Sequence, residues 1–318
     1  MQIQHWRHNQ IDRTRWDATV SRALCDLPYA YSWYLDVVCP EWEALVAEDY
    51  TYVMPLPVKQ KWGIRYLIHP IWVQQLGIYS ASNVTAEIFN AFHRRIPYLM
   101  YDFNVNYLNY AVASDKAKSV KTNLIIPHSE NIDPIRKQYN SNTRRNIAKA
   151  SKCGLEIREA FIDEFVTLWQ AENQSMRWDL HATIRPLVEA ALSYSQFSIL
   201  SSKAQRPSVL NSQFFTPHLF GVYCEGRLVA SLFGMQTRGR FIYLIPVSNR
   251  EGKGCCAMFA LVDHIIETIC CPQGLTFDCE GSMIEGVARF YRGFGAVEQP
   301  YASIARCRPN WLVRLMHR

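Results

Sequence analysis

The chain has 318 residues and a mass of 36.9 kDa, a length that suits two domains better than one. Hydrophobic residues make up 49% of it and charged residues 19%, a composition that excludes an intrinsically disordered chain. The net charge of +6 suits an anionic ligand but is too modest to indicate DNA as a partner.

Neither export nor a membrane span is expected. Residues 1–16 contain charges and no apolar core, which argues against a secretory signal. The most apolar later stretch, residues 255–271, is interrupted by Asp263, His264 and Glu267, and these would be costly in a bilayer. We therefore expect a cytoplasmic protein.

The ten cysteines predict reduced thiols. They include no CxxC motif, and the two adjacent Cys pairs lack histidines at metal-ligand spacing. Reduced, mostly buried thiols of a cytoplasmic protein account for this pattern. We expect no metal site.

The first part of the chain predicts a sheet with one helix. Runs with strand character are EALVAED, YTYVMPLPVKQ, IRYLIHP and QQLGIYS, in that order. Ser82 and Asn83 offer N-cap side chains to the helix VTAEIFNAFHRRI, and the strand YLMYDFN with Asp102 follows. We assign residues 1–130 to this first domain.

A basic helix opens the second part of the chain, residues 131–318. Asn142 or Thr143 can cap this helix, and Gly154 supplies the left-handed residue that ends it. A strand (LEIREA), two helices (FIDEFVTLWQAENQ and IRPLVEAALSYS) and a polar loop at residues 201–217 are predicted next.

An antiparallel meander then leads into a glycine-rich turn. Three strands are predicted, GVYC, LVASLFGMQT and RFIYLIPVS, and they are followed by the turn NREGKG, a helix over residues 256–269 and the strand LTFDCE. The first domain has the same strand, turn, helix, strand order, and Asp102 and Asp278 lie near the ends of corresponding strands. The order suggests two copies of one fold, although two common α/β patterns can also match by chance.

This order resembles the core of GNAT acyltransferases. In that family a turn of the form Gln/Arg-x-x-Gly-x-Gly/Ala at a helix start binds the pyrophosphate of acyl-CoA, through backbone N–H groups and glycines that allow close approach. The matching hexapeptide begins with Asn249 where the family has Gln or Arg. The resemblance assigns acyl-CoA binding to Asn249, Arg250, Gly252, Lys253 and Gly254. An ordinary glycine-rich turn between strand and helix is the alternative.

Two further segments resemble FemAB-like transferases, which are tandem GNAT domains. NSNTRRNIAKASKCGLEI looks like the segment that opens their second half, and FDCEGSMIEGVARFYRGFGA looks like their closing segment. The likeness covers roughly residues 130–305, and the first 130 residues follow by architecture alone. The chain is also similar to CelD/BioF-like acetyltransferase domains. The implied fold is α/β, with two tandem GNAT-like domains, each a mixed, mostly antiparallel sheet flanked by helices.

The closing segment contains the candidate catalytic residues. Alternation along LTFDCE predicts that Asp278 and Glu280 share one face of the strand. Either acid could remove the proton from an attacking amine, and Tyr291 or Tyr243 could protonate the leaving thiolate. The acids could instead cap the helix over residues 283–292 or pair with Arg289.

The candidate substrate-binding residues are mostly basic. Arg144 and Arg145 could hold a phosphate-bearing donor or a sugar-phosphate acceptor, or could simply lie on the solvated face of a helix. Tyr243, Ser282 and Arg289 complete the predicted set around the same cleft. Tyr243, in an apolar strand, could also be a core residue.

The sequence thus favours an acyltransferase that moves an acetyl or longer acyl group from acyl-CoA to an amine. The FemAB resemblance implies an alternative, aminoacyl transfer from charged tRNA to a peptidoglycan precursor. The modest charge and the lack of a long helical hairpin argue against tRNA. A third possibility is a GNAT fold that binds a ligand without turnover. The acceptor would be a small molecule or a cell-envelope precursor, and the first domain, without a glycine turn, would shape the substrate site.

Overall fold

The computed structural model describes residues 1–204, 215–281 and 284–307, and Ser282 lies outside them. The described helices are α1 Arg13–Arg22, α2 Ser32–Val38, α3 Ala86–Arg95, α4 Tyr110–Ala113, α5 Asp133–Gln138, α6 Ser141–Ala150, α7 Ile162–Glu172, α8 Trp178–Ala204, α9 Arg250–Gly254, α10 Ala257–Ile265, α11 Cys271–Gln273 and α12 Glu285–Gly293. The described strands are β1 Ile3–Trp6, β2 Glu43–Ala47, β3 Tyr52–Leu56, β4 Val58–Lys61, β5 Ile64–Ile68, β6 Met100–Val105, β7 Ala117–Ile126, β8 Leu155–Glu159, β9 Thr216–Cys224, β10 Arg227–Gln236, β11 Arg240–Ser248, β12 Thr276–Asp278 and β13 Val297–Cys307.

The chain forms two compact units. The first is Met1–Lys121 together with the described residues from Pro300 onward, and the second is Thr122–Gln299. The last strand belongs to the first unit because Ala302–Cys307 of β13 pairs antiparallel with Met100–Val105 of β6. The predicted domain ranges, divided at residue 130, differ from these units mainly in assigning this strand to the second part.

The first unit contains two groups of strands. β1, β2 and β3 form an antiparallel sheet. β4 and β5 pair antiparallel, β5 and β6 pair parallel, and β13 continues on the other side of β6. Phe89 and Phe92 of α3 are fully buried in this unit's core, so the apolar face of α3 covers the sheet.

The second unit is built on a mixed sheet. Its strands lie in the order β7, β12, β11, β10, β9, β8, and all neighbours pair antiparallel except β11 and β12, which are parallel. The strands are rich in fully buried residues such as Val222, Leu232 and Phe241, against which α10 packs with Leu261 and Ile265. The predicted α/β fold with mostly antiparallel sheets is confirmed.

Each unit contains one parallel strand pair whose crossover includes a helix. In the first unit α3 lies between β5 and β6, and Ile68 pairs with Asp102. In the second, α9 and α10 lie between β11 and β12, and Ile242 pairs with Asp278. The two aspartates therefore occupy the same ladder position. The strand that precedes the helix in the first unit is β5, not the predicted run QQLGIYS.

Three local predictions differ from the structure at element ends. Thr85, not Ser82 or Asn83, caps α3, because its hydroxyl accepts from the Ile88 N–H. Asn140 caps α6 by accepting from the Thr143 N–H at 2.8 Å. The predicted helix IRPLVEAALSYS is part of the longer helix α8, and part of the predicted loop at 201–217 lies outside the described residues.

Candidate functional site

The parallel strands β11 and β12 part at the centre of the second unit. Their ladder runs from Arg240–Thr276 to Ile242–Asp278 and ends there, while β11 continues to Ser248. Since both strands point the same way, the gap opens at their carboxyl ends. In α/β sheets ligands bind in this kind of crevice, beyond the carboxyl ends of parallel strands.

Asp278 is the centre of a buried hydrogen-bond network at this point. Its side chain is 1% exposed, and Oδ2 accepts from Arg240 Nη1 at 2.8 Å. Oδ1 accepts from Asn123 Nδ2 and from the Glu280 N–H, both at 2.9 Å. Arg240 Nη1 also donates to Gln299 Oε1 at 3.1 Å. A buried carboxylate with its charge paired and both oxygens hydrogen-bonded is suited to a structural role.

Glu280 lies at the point where the chain turns away from the sheet. It has a left-handed φ of 57°, and Gly281 follows with φ 54°. A Cβ at position 281 would lie 2.4 Å from the Thr122 carbonyl oxygen, so the turn passes against β7 and requires glycine. The alternation that predicted a common face for Asp278 and Glu280 does not apply, because β12 ends at Asp278. Burial raises the pKa of Glu280 well above its usual range.

Two buried tyrosines flank the same turn. Tyr243 and Tyr291 are 3% and 6% exposed, and their rings meet edge to face with centroids 5.9 Å apart. Burial raises the pKa of each phenol, and Tyr291 is also within electrostatic range of Glu280 and Asp278. Both phenols are therefore protonated at neutral pH. The structure brings Tyr243, Asp278, Glu280 and Tyr291 together at the end of β12.

The predicted glycine-rich turn is the short helix α9. Asn249 caps it, with Oδ1 accepting from the Gly252 N–H at 2.8 Å. A Cβ at Gly252 would lie 2.3 Å from the carbonyl oxygen of Val229, whereas a Cβ at Gly254 would meet nothing within 4 Å. Gly252 is thus needed for the close packing of α9 on β10, whereas Gly254 has open space around it.

Charges around α9 are partly neutralised. Glu251 accepts from Arg227 Nη2 at 2.8 Å, and Lys253 Nζ lies 3.2 Å from the Glu172 carboxylate. Arg250 is exposed at the first position of the helix. Of the two predicted cationic side chains here, Arg250 is better placed to meet an anion, since Lys253 already has a carboxylate partner.

The basic helix α6 packs against α10, the helix that follows α9. Asn146 Oδ1 accepts from the Cys256 thiol at 3.6 Å, which joins α6 to the residues just after the turn. Arg144 Nη2 donates to the Lys137 carbonyl at 2.9 Å, and Arg145 Nη2 lies 3.4 Å from Asn142 Oδ1. Arg144 therefore also closes the carboxyl end of α5, a structural role that the sequence did not indicate.

The remaining predicted residues are more loosely connected with this cluster. Arg289 is exposed on α12, and Asp278 pairs with Arg240 rather than with Arg289. Sequence reasoning missed Arg240 and Asn123 as partners of Asp278. A charged residue at the start of the apolar strand RFIYLIPVS was a usable signal for Arg240, whereas Asn123 is 155 residues from Asp278 in sequence and carries no local signal.

The described residues contain neither a metal-binding cluster nor a helix that could span a membrane. Over residues 1–204, 215–281 and 284–307, no group of three or more His, Cys, Asp or Glu side chains is arranged to hold a metal ion. Within the same ranges, no helix combines the length and hydrophobicity that a bilayer span requires.

Comparisons with known proteins agree with the GNAT resemblance. The GNAT acetyltransferase domain model matches residues 212–280, a range that ends at Glu280. The fold of the whole chain is similar to the crystal structure of FemX, with a TM-score of 0.60 and 11% identity over 100% of both chains.

Two other solved structures show the same fold. The C-terminal domain of a putative lysylphosphatidylglycerol synthetase from Agrobacterium fabrum has a TM-score of 0.54 and 9% identity, covering 96% of this chain and 95% of that one. A conserved protein of unknown function from Bacteroides thetaiotaomicron has a TM-score of 0.54 and 12% identity, covering 93% and 97%. Comparison with curated proteins gives no significant match.

The predicted resemblance to GNAT acyltransferases of the FemAB-like group is thus confirmed. The domain match covers the meander, α9, α10 and β12, and so includes the strand separation and the turn around which the candidate site is built. Residues 212–280 match the model of the GNAT acetyltransferase domain, and the chain as a whole shares its fold with FemX.

Proposed function

We propose that the protein is an N-acyltransferase that moves an acetyl or longer acyl group from acyl-CoA to an amine. The main support for this proposal is the separation of β11 and β12 beyond the Ile242–Asp278 pair. Glu280 follows the end of β12, and α9 follows the end of β11. Because β12 ends at Asp278, the edge of β11 that faces it is open beyond Ile242. The amide groups of an acyl carrier can hydrogen-bond to this open edge. The acyl group then reaches the base of the gap.

The donor phosphates would lie at the start of α9. The first N–H groups of a helix carry partial positive charge, and Arg250 is exposed at this end. Gly254 leaves open space on the turn, and the basic helix α6 with Arg144 and Arg145 is adjacent. These features support a phosphate-bearing donor on this side of the unit.

The chemistry requires one base and one acid. The amine nitrogen attacks the thioester carbonyl carbon, the C–N bond forms, and the C–S bond breaks as the tetrahedral intermediate collapses. Glu280, its pKa raised by burial, accepts the proton that the amine loses. Tyr291, whose buried phenol keeps its proton at neutral pH, donates one to the leaving thiolate.

The acceptor is a small molecule or a cell-envelope precursor that carries a primary amine. Tyr243, Arg289 and the segment that includes Ser282 are the residues we assign to it in this unit. A deprotonated amine is a better nucleophile than its ammonium form, so the half-buried carboxylate of Glu280 close to the gap supports this reaction class. Substrate shaping by residues 1–130 stays a prediction.

A second donor has an observation in its favour. Glu251 places a carboxylate in the second position of α9, and Asn249 already occupies the Gly252 N–H. Both features weaken the turn as a pyrophosphate site, because one repels the anion and the other removes a donor. Aminoacyl transfer from charged tRNA, which the FemAB resemblance implies, needs no pyrophosphate at this position.

A thermal-shift titration with acetyl-CoA, longer acyl-CoAs and desulfo-CoA tests the donor. A ligand at about a hundred times its Kd stabilises a protein by about 2.7 kcal/mol, or a few degrees for a chain of this length. The test variant is Gly254→Asp, which adds a carboxylate where a side chain meets nothing within 4 Å. Gly286→Asp, on α12 and equally open, is the matched control.

The outcomes separate the three functions. A shift in wild type and Gly286→Asp that is lost in Gly254→Asp supports the acyl-CoA proposal. No shift with any CoA ligand, together with amine acylation from a charged tRNA, supports the second donor. Binding of CoA without any product from a panel of amines would overturn the proposed enzyme in favour of a ligand-binding protein.

A further inference from the structure

Three cysteines from separate segments meet in the second unit. Cys153 follows α6, Cys224 ends β9 and Cys255 follows α9. The Cys224 thiol donates to the Cys153 carbonyl oxygen at 3.8 Å. The Cys255 thiol lies within side-chain hydrogen-bonding range of the thiols of both Cys153 and Cys224. They form a cluster, which we call the thiol triad.

Backbone pairing and an ion pair place the same residues together. Cys224 pairs with Leu155 in β8 and with Arg227 in β10, so Cys153 lies near one side of it. Arg227 binds Glu251 at 2.8 Å, and the Cys255 N–H donates to the Glu251 carbonyl at 2.9 Å, one helical turn later. The strand register and the helix geometry therefore place the segments that contain Cys153, Cys224 and Cys255 close together.

The members of the triad differ in exposure. Cys153 and Cys255 are partly exposed, whereas Cys224 is buried. All three have free thiols, and within residues 1–204, 215–281 and 284–307 no group of three or more His, Cys, Asp or Glu side chains, these three included, is arranged to hold a metal ion. Two accessible thiols side by side leave disulfide chemistry as the reaction open to them.

We propose that Cys153 and Cys255 form a reversible oxidation site, which a hydroperoxide converts into a disulfide. Cys224 is the less suitable partner, because it is buried and its backbone is held between two strands. The proposal goes beyond the acyltransferase function and does not depend on the identity of the donor.

The reaction proceeds in two balanced steps. The Cys153 thiolate attacks a peroxide oxygen, which gives the Cys153 sulfenic acid and hydroxide from hydrogen peroxide. The Cys255 thiol then attacks that sulfur, the S–S bond forms and water leaves. Overall, two thiols are oxidised and one peroxide is reduced to two waters. Burial and the neighbouring sulfurs raise the pKa of Cys255 to about 11, so Cys255 suits the second step rather than the first.

The disulfide would join two elements of the candidate site. Cys153 lies just after the basic helix α6, and Cys255 is the residue after Gly254. A bond between them holds the end of α9 against the end of α6, which constrains the only glycine of the turn that has open space around it. Oxidation therefore acts on the predicted donor-binding side of the unit.

Peptide mapping of the full chain tests the proposal. The folded protein is treated with hydrogen peroxide, free thiols are alkylated, and the digest is analysed by mass spectrometry with and without dithiothreitol. We expect one dominant cross-linked pair of peptides, containing Cys153 and Cys255, that dithiothreitol removes. In Cys255→Ser, dimedone should label Cys153 as a sulfenic acid and the cross-link should disappear.

Cys256→Ser is the matched control, since Cys256 is the adjacent, partly exposed cysteine and its thiol contacts Asn146 instead. This variant should form the cross-link as wild type does. The proposal is overturned if Cys256→Ser abolishes the cross-link, if the main disulfide contains Cys224, or if cross-links form only after denaturation. Mapping of wild type decides these points even where a serine variant folds poorly.

Discussion

Arg240 Nη1 donates to Asp278 Oδ2 at 2.8 Å, and the two side chains are 8% and 1% exposed. The attraction within a charge pair this deeply buried is largely offset by the cost of taking both charges out of water, whereas neutralising one member of the pair is strongly destabilising. The pair fixes Asp278, the last residue of β12, two residues before Glu280. The two acids therefore have different roles: Asp278 holds the end of the strand, and Glu280 is the acid that we assign to catalysis.

Replacing Asp278 should mainly affect stability. Asp278→Asn removes the carboxylate charge that faces the buried Arg240 guanidinium, so the free energy of unfolding should fall by about 3 kcal/mol, measured by urea denaturation. Glu298→Gln, which disrupts an exposed contact with Arg292, should change it by less than about 1 kcal/mol. If Asp278→Asn abolishes turnover while stability is unchanged, Asp278 acts in the chemistry itself.

Replacing Glu280 should mainly affect turnover. Glu280→Gln removes the proposed base, so kcat should fall by about 10²- to 10⁴-fold, with KM for the donor nearly unchanged. Steady-state kinetics with the donor and amine that react measures both constants. A rise in KM with kcat intact would assign Glu280 to substrate binding instead.

The pH dependence of stability should also change in Glu280→Gln. Burial raises the folded-state pKa of Glu280 well above the ordinary value of 4.5, so the folded protein binds this proton more tightly than the unfolded chain. The stabilising contribution is complete below about pH 4.5 and is lost as the pH rises through the folded-state pKa. The stability of Glu280→Gln relative to wild type should therefore increase between about pH 5 and pH 8.

Urea unfolding at several pH values in this range measures that effect. Glu285→Gln, the same substitution at an exposed position of α12, is the matched control. A Glu280→Gln curve that runs parallel to that of wild type would show that burial does not raise the pKa of Glu280 in the folded protein.

The two tyrosines can be separated by the same kind of substitution. Tyr291→Phe removes the hydroxyl of the proposed acid, and kcat should fall by at least about tenfold. Tyr243→Phe keeps the edge-to-face ring contact and should reduce kcat much less. The reverse order of the two effects would move the role of proton donor to Tyr243.

The glycines of α9 should respond in opposite ways. Gly252→Ala places a Cβ 2.3 Å from the Val229 carbonyl oxygen, so it should destabilise the fold by about 1–3 kcal/mol. Gly254→Ala meets nothing within 4 Å and should stabilise it by up to about 1 kcal/mol. Thermal denaturation of both variants measures the difference. Equal effects would mean that α9 does not pack on β10 as described.

The sequence predicted the fold class because its signals are local. Alternating apolar residues, turn glycines and the acid at the end of LTFDCE each lie within a few residues of the element that they specify. The run QQLGIYS forms isolated bridges, Leu76 with Val105 and Tyr79 with Val53, instead of a continuous strand. Amide side chains supply other contacts here: Asn104 Nδ2 donates to the Gln74 carbonyl at 2.9 Å, and Gln75 Oε1 accepts from the Tyr107 N–H at 2.7 Å. These partners are distant in sequence and leave no signal within the run.

The sequence indicated which residues are candidates for the site, but not how they are arranged. Glu280, Tyr291 and Tyr243 were identified from one strand and one closing segment, but the left-handed turn at Glu280 was not. The network around Asp278 depends on Arg240, 38 residues away, and on Asn123, 155 residues away. Such pairs carry no periodic signal, because the sheet order alone brings them together.

The return of β13 to the first unit sets an order of events during protein synthesis. Met100–Val105 of β6 pairs with Ala302–Cys307, residues that leave the ribosome only after the whole of Thr122–Gln299 has been made. Thr122–Gln299, by contrast, is continuous and can fold as it emerges, since domains generally fold as units during translation. The first unit, although its synthesis begins earlier, is therefore completed after the second, and until then β6 presents an open edge that the nascent chain must shield.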